Sequence, residues 1–93
     1  MGFECKLSFQ CPSREAAERL LSSLQDVEYV ASSSPRFEFG RHGSSHEMPD
    51  ATASFEEYGL YFCDHGGHGR AYLGQVVASL VTHFGPVVVA ELE

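Results

Sequence analysis

Basic residues are scarce in this sequence. Its 93 residues include six lysines and arginines against thirteen aspartates and glutamates, so the formal net charge is -7. The electrostatic field of a negatively charged protein repels nucleic acid and anionic membranes and attracts basic proteins. We therefore expect neither a nucleic-acid ligand nor a membrane surface, and the charge favours a basic protein as partner.

Cysteine is also scarce. The three cysteines, Cys5, Cys11 and Cys63, are odd in number and lack C-x-x-C spacing, which argues against a disulfide framework and for a reducing compartment. The opening residues MGFECKLSF lack the basic region and apolar core of a secretion signal, and no apolar run approaches the roughly 18 residues that span a bilayer. The sequence predicts a cytoplasmic location.

Length limits the chain to one small core. A chain of this size buries only about 60 to 65 per cent of its unfolded surface, which suits one sheet and about two helices. The composition, 43% hydrophobic and 20% charged, is typical of globular proteins. We expect a single globular domain over residues 1–93.

Two segments have helical periodicity. Residues 13–25 place apolar side chains at helical spacing, and Ser13 suits the N-cap. Apolar residues also recur at helical spacing over residues 72–84, and Gly85 predicts the end of that helix. Gly74 lies inside the second helix, where glycine costs about 1 kcal/mol relative to alanine. We therefore expect a neighbouring element to approach Gly74 closely.

Six segments have strand composition. Residues 3–11 alternate between apolar and polar side chains, and the last segment, PVVVAELE, is apolar on both faces, which predicts a strand well inside a sheet. The other four segments are residues 27–31, 36–41, 51–57 and 60–63.

The joins between the middle segments decide the fold. If SSSP and Tyr58-Gly59 are bulges, the order is β-α-β-β-α-β, which is the ferredoxin-like (split β-α-β) architecture. If they are turns, an extra hairpin appears. We prefer the first, an α+β fold with two helices on one face of an antiparallel sheet of four strands. Two right-handed β-α-β crossings around a central hairpin account for every strong helix and strand pattern in the sequence. Polar residues or a second copy, forming a homodimer, would cover the other face.

The stretch YFCDHGGHGR, residues 61–70, concentrates reactive side chains. Its candidates for binding a small ligand or a metal ion are Cys63, Asp64, His65, His68 and Arg70. The ligand types suit zinc, but their spacing is not that of a structural zinc site, so we expect no cofactor and keep a metal ion as the alternative. His42 and His46 would approach this stretch only if Tyr58-Gly59 is a tight turn, since a strand of about twelve residues spans roughly 40 Å.

Two other chemistries fit the same stretch. Cys63 and His65 project to one side of an extended chain, as a nucleophile and its base would, but no oxyanion donor can be assigned, so we expect an inert thiol. Three glycines before a helix, with Arg70 beside them, suit an anion. The stretch lacks the lysine and hydroxyl of a P-loop, so we favour a glycine-rich turn from strand to helix.

Acidic residues and tyrosines between the helices indicate a protein-binding surface. The candidate residues are Glu38, Glu47, Asp50, Glu56, Glu57, Tyr58 and Tyr61. Such a surface suits the docking of a basic protein. Bacterial immunity proteins that neutralise toxic nucleases have a similar size and charge, so we predict a non-catalytic protein-binding module of an immunity or antitoxin-like kind. Two alternatives stay open: a regulatory domain that holds a small ligand or metal ion through residues 63–70, and a small enzyme that uses Cys63 or His65.

Overall fold

The computed structural model describes residues 3–31, 35–40 and 49–92. In chain order, the elements are β1 Phe3–Ser8, α1 Arg14–Ser22, β2 Val27–Val30, β3 Arg36–Phe39, β4 Ala51–Glu56, β5 Gly59–Asp64, α2 Gly69–Phe84 and β6 Val88–Leu92. Neither helix in these ranges has the length and apolar character needed to cross a membrane.

The strands form one antiparallel sheet in the order β2-β3-β4-β5-β1-β6. The α+β class is therefore confirmed. The prediction of four strands is wrong, because SSSP separates β2 from β3 and the turn before Gly59 separates β4 from β5. β2 and β3 pair side by side with Val30 opposite Arg36. β4 and β5 pair with Glu56 opposite Gly59, so Glu57 and Tyr58 alone make the turn between them.

The helix ends follow local signals. The Ser13 hydroxyl accepts a hydrogen bond from the Ala16 N–H at 3.1 Å, as an N-cap does. α2 ends at Gly85, whose φ of 96° is one that glycine adopts without a steric penalty. The expected close approach at Gly74 is wrong, because this residue lies on the exposed side of α2 and a Cβ there would meet nothing within 4 Å.

The core lies between the sheet and both helices. One row of core side chains crosses four strands through Cys5, Phe62, Ala53 and Phe37, which are successive cross-strand partners. The helices contribute Leu21 from α1 and, from α2, Tyr72, Leu73, Val76 and Leu80 to the same cluster. Both helices therefore cover one face of the sheet, and the opposite face, which we call the helix-free face, lies away from this core.

The apolar composition of the last strand predicted a position well inside the sheet, and this prediction is wrong. Within the described ranges, β6 pairs only with β1, whose other side pairs with β5, so β6 lies at an edge of the sheet. Val88 and Val89 are 64% and 47% exposed. An edge strand with exposed valines leaves one row of backbone hydrogen-bonding groups open to another strand.

Candidate functional site

A row of side chains crosses the helix-free face over five strands. Its members, each a cross-strand partner of the next, are Glu4, Cys63, Thr52, Glu38 and Glu28. Cys63 lies near the middle and is only 7% exposed although the helices are on the other side. The row places a thiol among polar and acidic side chains.

His65 follows β5 and lies against Cys63, which confirms that the two side chains project to one side. The Cys63 Sγ is 3.7 Å from His65 Nδ1, and the Thr52 Oγ1 is 3.0 Å from His65 Nε2. With the proton on Nε2, the ring donates a hydrogen bond to the hydroxyl and accepts one from the thiol. Thr52 thereby fixes the orientation of the imidazole.

The thiol is not activated by this arrangement. Burial is the largest cause that acts on the pKa of Cys63 and raises it. The hydrogen bond from Tyr61 is the next largest and lowers the pKa, and the negative charges of Glu4 and Asp64 raise it, so the pKa is raised on balance. The pKa of Tyr61 is also raised, first by burial and then by hydrogen bonding to Glu4. Both groups are neutral near pH 7, whereas the nucleophilic form of cysteine is the thiolate.

The glycine-rich loop after β5 is built around two carboxylates of the chain. Asp64 accepts a hydrogen bond from the Gly66 N–H at 2.9 Å and forms an ion pair with Arg70 at 3.6 Å. Asp50 accepts one from the His68 N–H at 3.2 Å. These carboxylates lie beside the start of α2, where the helix dipole favours negative charge. They occupy the position that the sequence had suggested for an anionic ligand.

The glycines permit this packing. A Cβ on Gly67, whose φ is 55°, would come within 2.7 Å of Asp50 Oδ1. A Cβ on Gly69 would collide with the carboxylate of Asp64 and lie 2.6 Å from the Asp50 carbonyl oxygen. A glycine-rich turn from strand to helix, which the sequence had favoured, describes this loop.

The ligand-type residues do not assemble into a metal site within the described ranges. No group of three or more His, Cys, Asp or Glu side chains is placed there to hold a metal ion. The tight turn at Glu57 and Tyr58 meets the condition set for His42 and His46 to approach residues 63–70. Those two histidines lie outside the described residues.

The predicted protein-binding residues fall into two groups. Tyr61 and Glu38 lie on the helix-free face, where Glu38 forms an ion pair with Arg36 at 2.8 Å. The second group, at the tip of the β4–β5 hairpin, is Glu56, Glu57 and Tyr58, all exposed. Glu47 lies outside the described residues. The expected exposure of Asp50 is wrong: it is 6% exposed, because it packs beneath the loop of residues 66–69.

The sequence did not predict a groove beside the hairpin tip. Two adjoining clefts, of about 370 and 540 Å³, share Phe9, Gln10 and Tyr58 in their walls, and we call them together the hairpin-end groove. Residues 3–11 were expected to form one strand, but β1 ends at Ser8, so Phe9 and Gln10 line the groove instead. Pro12 lies four positions beyond Ser8, so it does not mark the end of β1.

The first cleft combines aromatic and acidic walls. It is bounded by Phe55, Arg14 and the two glutamates of the hairpin tip, Glu56 and Glu57. The second cleft is lined mainly by apolar side chains of Phe84, Pro86 and Val88. The chain matches no protein-family model, and comparisons with curated proteins and with solved structures give no significant match.

Proposed function

We propose that this chain is a small, acidic, cytoplasmic protein-binding module that engages a basic protein, in the manner of an immunity or antitoxin-like protein. The observation that carries the proposal is the tip of the β4–β5 hairpin. Glu56 and Glu57 are exposed there beside Tyr58, which is 37% exposed. Within the described ranges, neither glutamate has an ion-pair partner.

Unpaired carboxylates beside an exposed ring suit a protein interface. Complementary charge raises the association rate and selects against acidic competitors, while tyrosine supplies contact area at a low cost in side-chain entropy. The hairpin is a firm support, because six cross-strand pairs join β4 to β5 and β5 also pairs with β1. The charges are thus presented on a rigid element.

The two alternative functions receive less support from the geometry. The thiol of Cys63 is buried and has a raised pKa, which disfavours a nucleophile. The loop after β5 directs donors toward Asp50 and Asp64, which disfavours an anionic ligand there. Among the described residues, the carboxylates of Glu56 and Glu57 at the hairpin tip have no comparable ion-pair partner.

We also propose that part of the fold corresponds to the ferredoxin-like unit. The elements β1, α1, β4, β5, α2 and β6 have the chain order β-α-β-β-α-β, and their strands lie in the sheet order β6-β1-β5-β4. The β2–β3 hairpin would then be an addition at one edge. An experimental structure in which the β1-α1-β4 crossing is left-handed would exclude this correspondence.

A capture experiment tests the function. The purified chain is immobilised, proteins from the native source are bound at about 50 mM NaCl, and they are eluted toward about 0.5 M, where charge interactions are screened beyond about 4 Å. We expect one stoichiometric partner with a basic isoelectric point. An acidic partner, or one whose dissociation constant is unchanged by salt, contradicts the proposal.

Charge variants locate the surface for that identified partner. Glu56→Gln with Glu57→Gln is expected to weaken binding about ten-fold, since two exposed ion pairs contribute up to about 1 kcal/mol each. The matched control, Glu4→Gln with Glu28→Gln, removes the same charge from the helix-free face. If both double substitutions weaken binding equally, the net charge of the chain attracts the partner and the hairpin tip is not the binding surface.

A further inference from the structure

We propose that the hairpin-end groove binds an extended segment of the basic partner, in which an arginine or lysine lies close to an apolar side chain. This rests on the proposed function and gives it a site and a recognition rule. The cation would lie at Glu56 and Glu57, beside the ring of Tyr58. The apolar side chain would enter the cleft between Phe84 and Val88.

The first subsite already has the chemistry that holds cations. The Nζ of Lys6 lies 5.1 Å from the centre of the Tyr58 ring, and the guanidinium of Arg14 lies 5.0 Å from that of Phe55. Such distances are those of cation–π contacts. Arg14 is paired with Glu18 at 3.2 Å rather than with the hairpin glutamates.

The carboxylates of the first subsite therefore remain open to a partner. Neither Glu56 nor Glu57 is matched by Lys6, Arg14 or any other cation of the described residues. A guanidinium from another protein would find a carboxylate and an aromatic ring side by side. Arginine suits this combination because its planar group both stacks on rings and pairs with carboxylates.

The second subsite is apolar and partly formed in advance. The rings of Phe9 and Phe84 stack with centroids 6.1 Å apart and an interplanar angle of 10°. Pro86 and Val88 complete that side of the cleft, and Val88 is 64% exposed. An apolar side chain that enters the cleft covers this exposed surface, which supplies binding free energy that salt does not screen.

The sheet edge explains why the bound segment should be extended. Val88 is both a wall of the groove and the first residue of β6, whose outer edge has no neighbouring strand in the part of the chain that the structure describes. A segment that leaves the groove at Val88 in an extended conformation can pair its backbone with this edge, and its side chains then lie alternately on the two sides of the segment. The groove and the edge strand thus meet at Val88.

Charge decides between a foreign segment and a second copy of this chain. The chain has thirteen acidic residues against six basic ones, and the first subsite is itself acidic. Two copies with a net charge of -7 each repel one another, whereas a basic segment is attracted. Charge complementarity therefore selects a basic segment of another protein.

Peptide binding to the full chain tests the proposal. The probe is a fluorescently labelled heptapeptide in which arginine and leucine lie two residues apart with serine between them, so that both project to one side of an extended chain, and its counterpart has glutamate in place of arginine. Fluorescence anisotropy should show binding of the arginine peptide that weakens about ten-fold in Glu56→Gln/Glu57→Gln. The glutamate peptide should not bind. Equal binding of the two peptides would overturn the cationic subsite.

A valine pair tests the apolar subsite. Val88→Ser should weaken the arginine peptide about three-fold through the loss of apolar contact area. Val81→Ser is the matched control, because Val81 is a 46% exposed valine on α2 outside the groove walls. Equal effects of the two substitutions would overturn the apolar subsite. Both variants are first checked for unchanged circular dichroism.

Mapping on the unsubstituted chain gives a readout that does not depend on variants. Peptide addition should shift the amide resonances of Gln10, Tyr58 and Val88. Shifts confined to β2 and β3 would overturn the groove as the site, and the proposed function would survive if a basic partner is still captured. Absence of both a basic partner and peptide binding would refute the groove and the proposed function together.

Discussion

Replacing Gly59 by alanine should strongly destabilise the fold. Gly59 begins β5 directly after the hairpin turn and lies opposite Ser8 of β1 and Glu56 of β4. Its φ is 142°, a region that residues with a Cβ rarely adopt. A Cβ there would collide with the carbonyl oxygen of Leu7, which belongs to the backbone of β1 and cannot rotate away as a side chain could.

The cost can be worked out from two contributions. A residue forced into a sparsely populated backbone region costs about 1–3 kcal/mol. Moving β1 away from the new methyl group weakens about one hydrogen bond, which is worth about 1 kcal/mol. The sum is about 3 kcal/mol, and for a domain of this size each kcal/mol shifts the melting temperature by about 4–8 °C. We therefore expect a fall of about 12–24 °C.

The assay is thermal and urea unfolding followed by far-UV circular dichroism, with Gly74→Ala as the matched control. The same added methyl group meets nothing within 4 Å at Gly74, which is exposed inside α2. There alanine should raise stability by about 1 kcal/mol through its higher helix propensity. A Gly59→Ala protein that melts within about 3 °C of the unsubstituted chain would refute the close approach of β5 to Leu7.

Three further predictions concern buried polar groups. Cys11, which is half-buried, should react with a thiol reagent at pH 8 before the buried Cys5 and Cys63, and fast labelling of Cys63 would contradict its raised pKa. Asp50→Ala should lower the free energy of unfolding by about 2 kcal/mol in urea titrations, because the His68 N–H loses the carboxylate that accepts its hydrogen bond. An unchanged midpoint of the urea titration would contradict this. Folding raises the pKa of Cys63 from its ordinary value of 9.0 and that of Tyr61 from 10.0, so both groups favour the fold in their neutral forms. This contribution to stability is complete below the ordinary pKa values and is lost as the pH rises above them. The melting temperature should thus fall above about pH 9, less steeply in Tyr61→Phe, and an equal slope in both proteins would contradict the role of Tyr61.

Short-range signals in the sequence predicted both helices, although α1 ends at Ser22 instead of residue 25 and α2 begins at Gly69 instead of residue 72. Ser13 and Gly85 act within one turn of a helix end, so their roles depend on neighbours a few residues away. The strand segments were also found, but the turn between β4 and β5 was taken for a bulge. Hairpins with two-residue turns favour Asn-Gly or Asp-Gly, and here the turn residues are Glu57 and Tyr58, with the glycine one position later.

The candidate site was predictable only where it depends on one strand. Alternation along β5 places Cys63 and His65 on the same side, and the structure has them 3.7 Å apart. The burial of Asp50 was not predictable, since it depends on a loop that follows seventeen residues later in the chain and on glycines there that admit its carboxylate. Long-range packing of this kind leaves no periodic trace in the sequence.

The acidic residues of this chain have two different relations to the fold. Asp50 and Asp64 accept hydrogen bonds from backbone N–H groups of the loop that leads into α2, so their charges stabilise that loop and the start of α2. Glu56 and Glu57 have no such partner within the described ranges and lie at the exposed end of the β4–β5 hairpin, so folding gains little from their charge. Charge that contributes little to stability can be removed at the hairpin tip without unfolding the chain. Loss of binding in Glu56→Gln/Glu57→Gln would therefore report recognition itself, which the same change at Asp50 and Asp64 could not do.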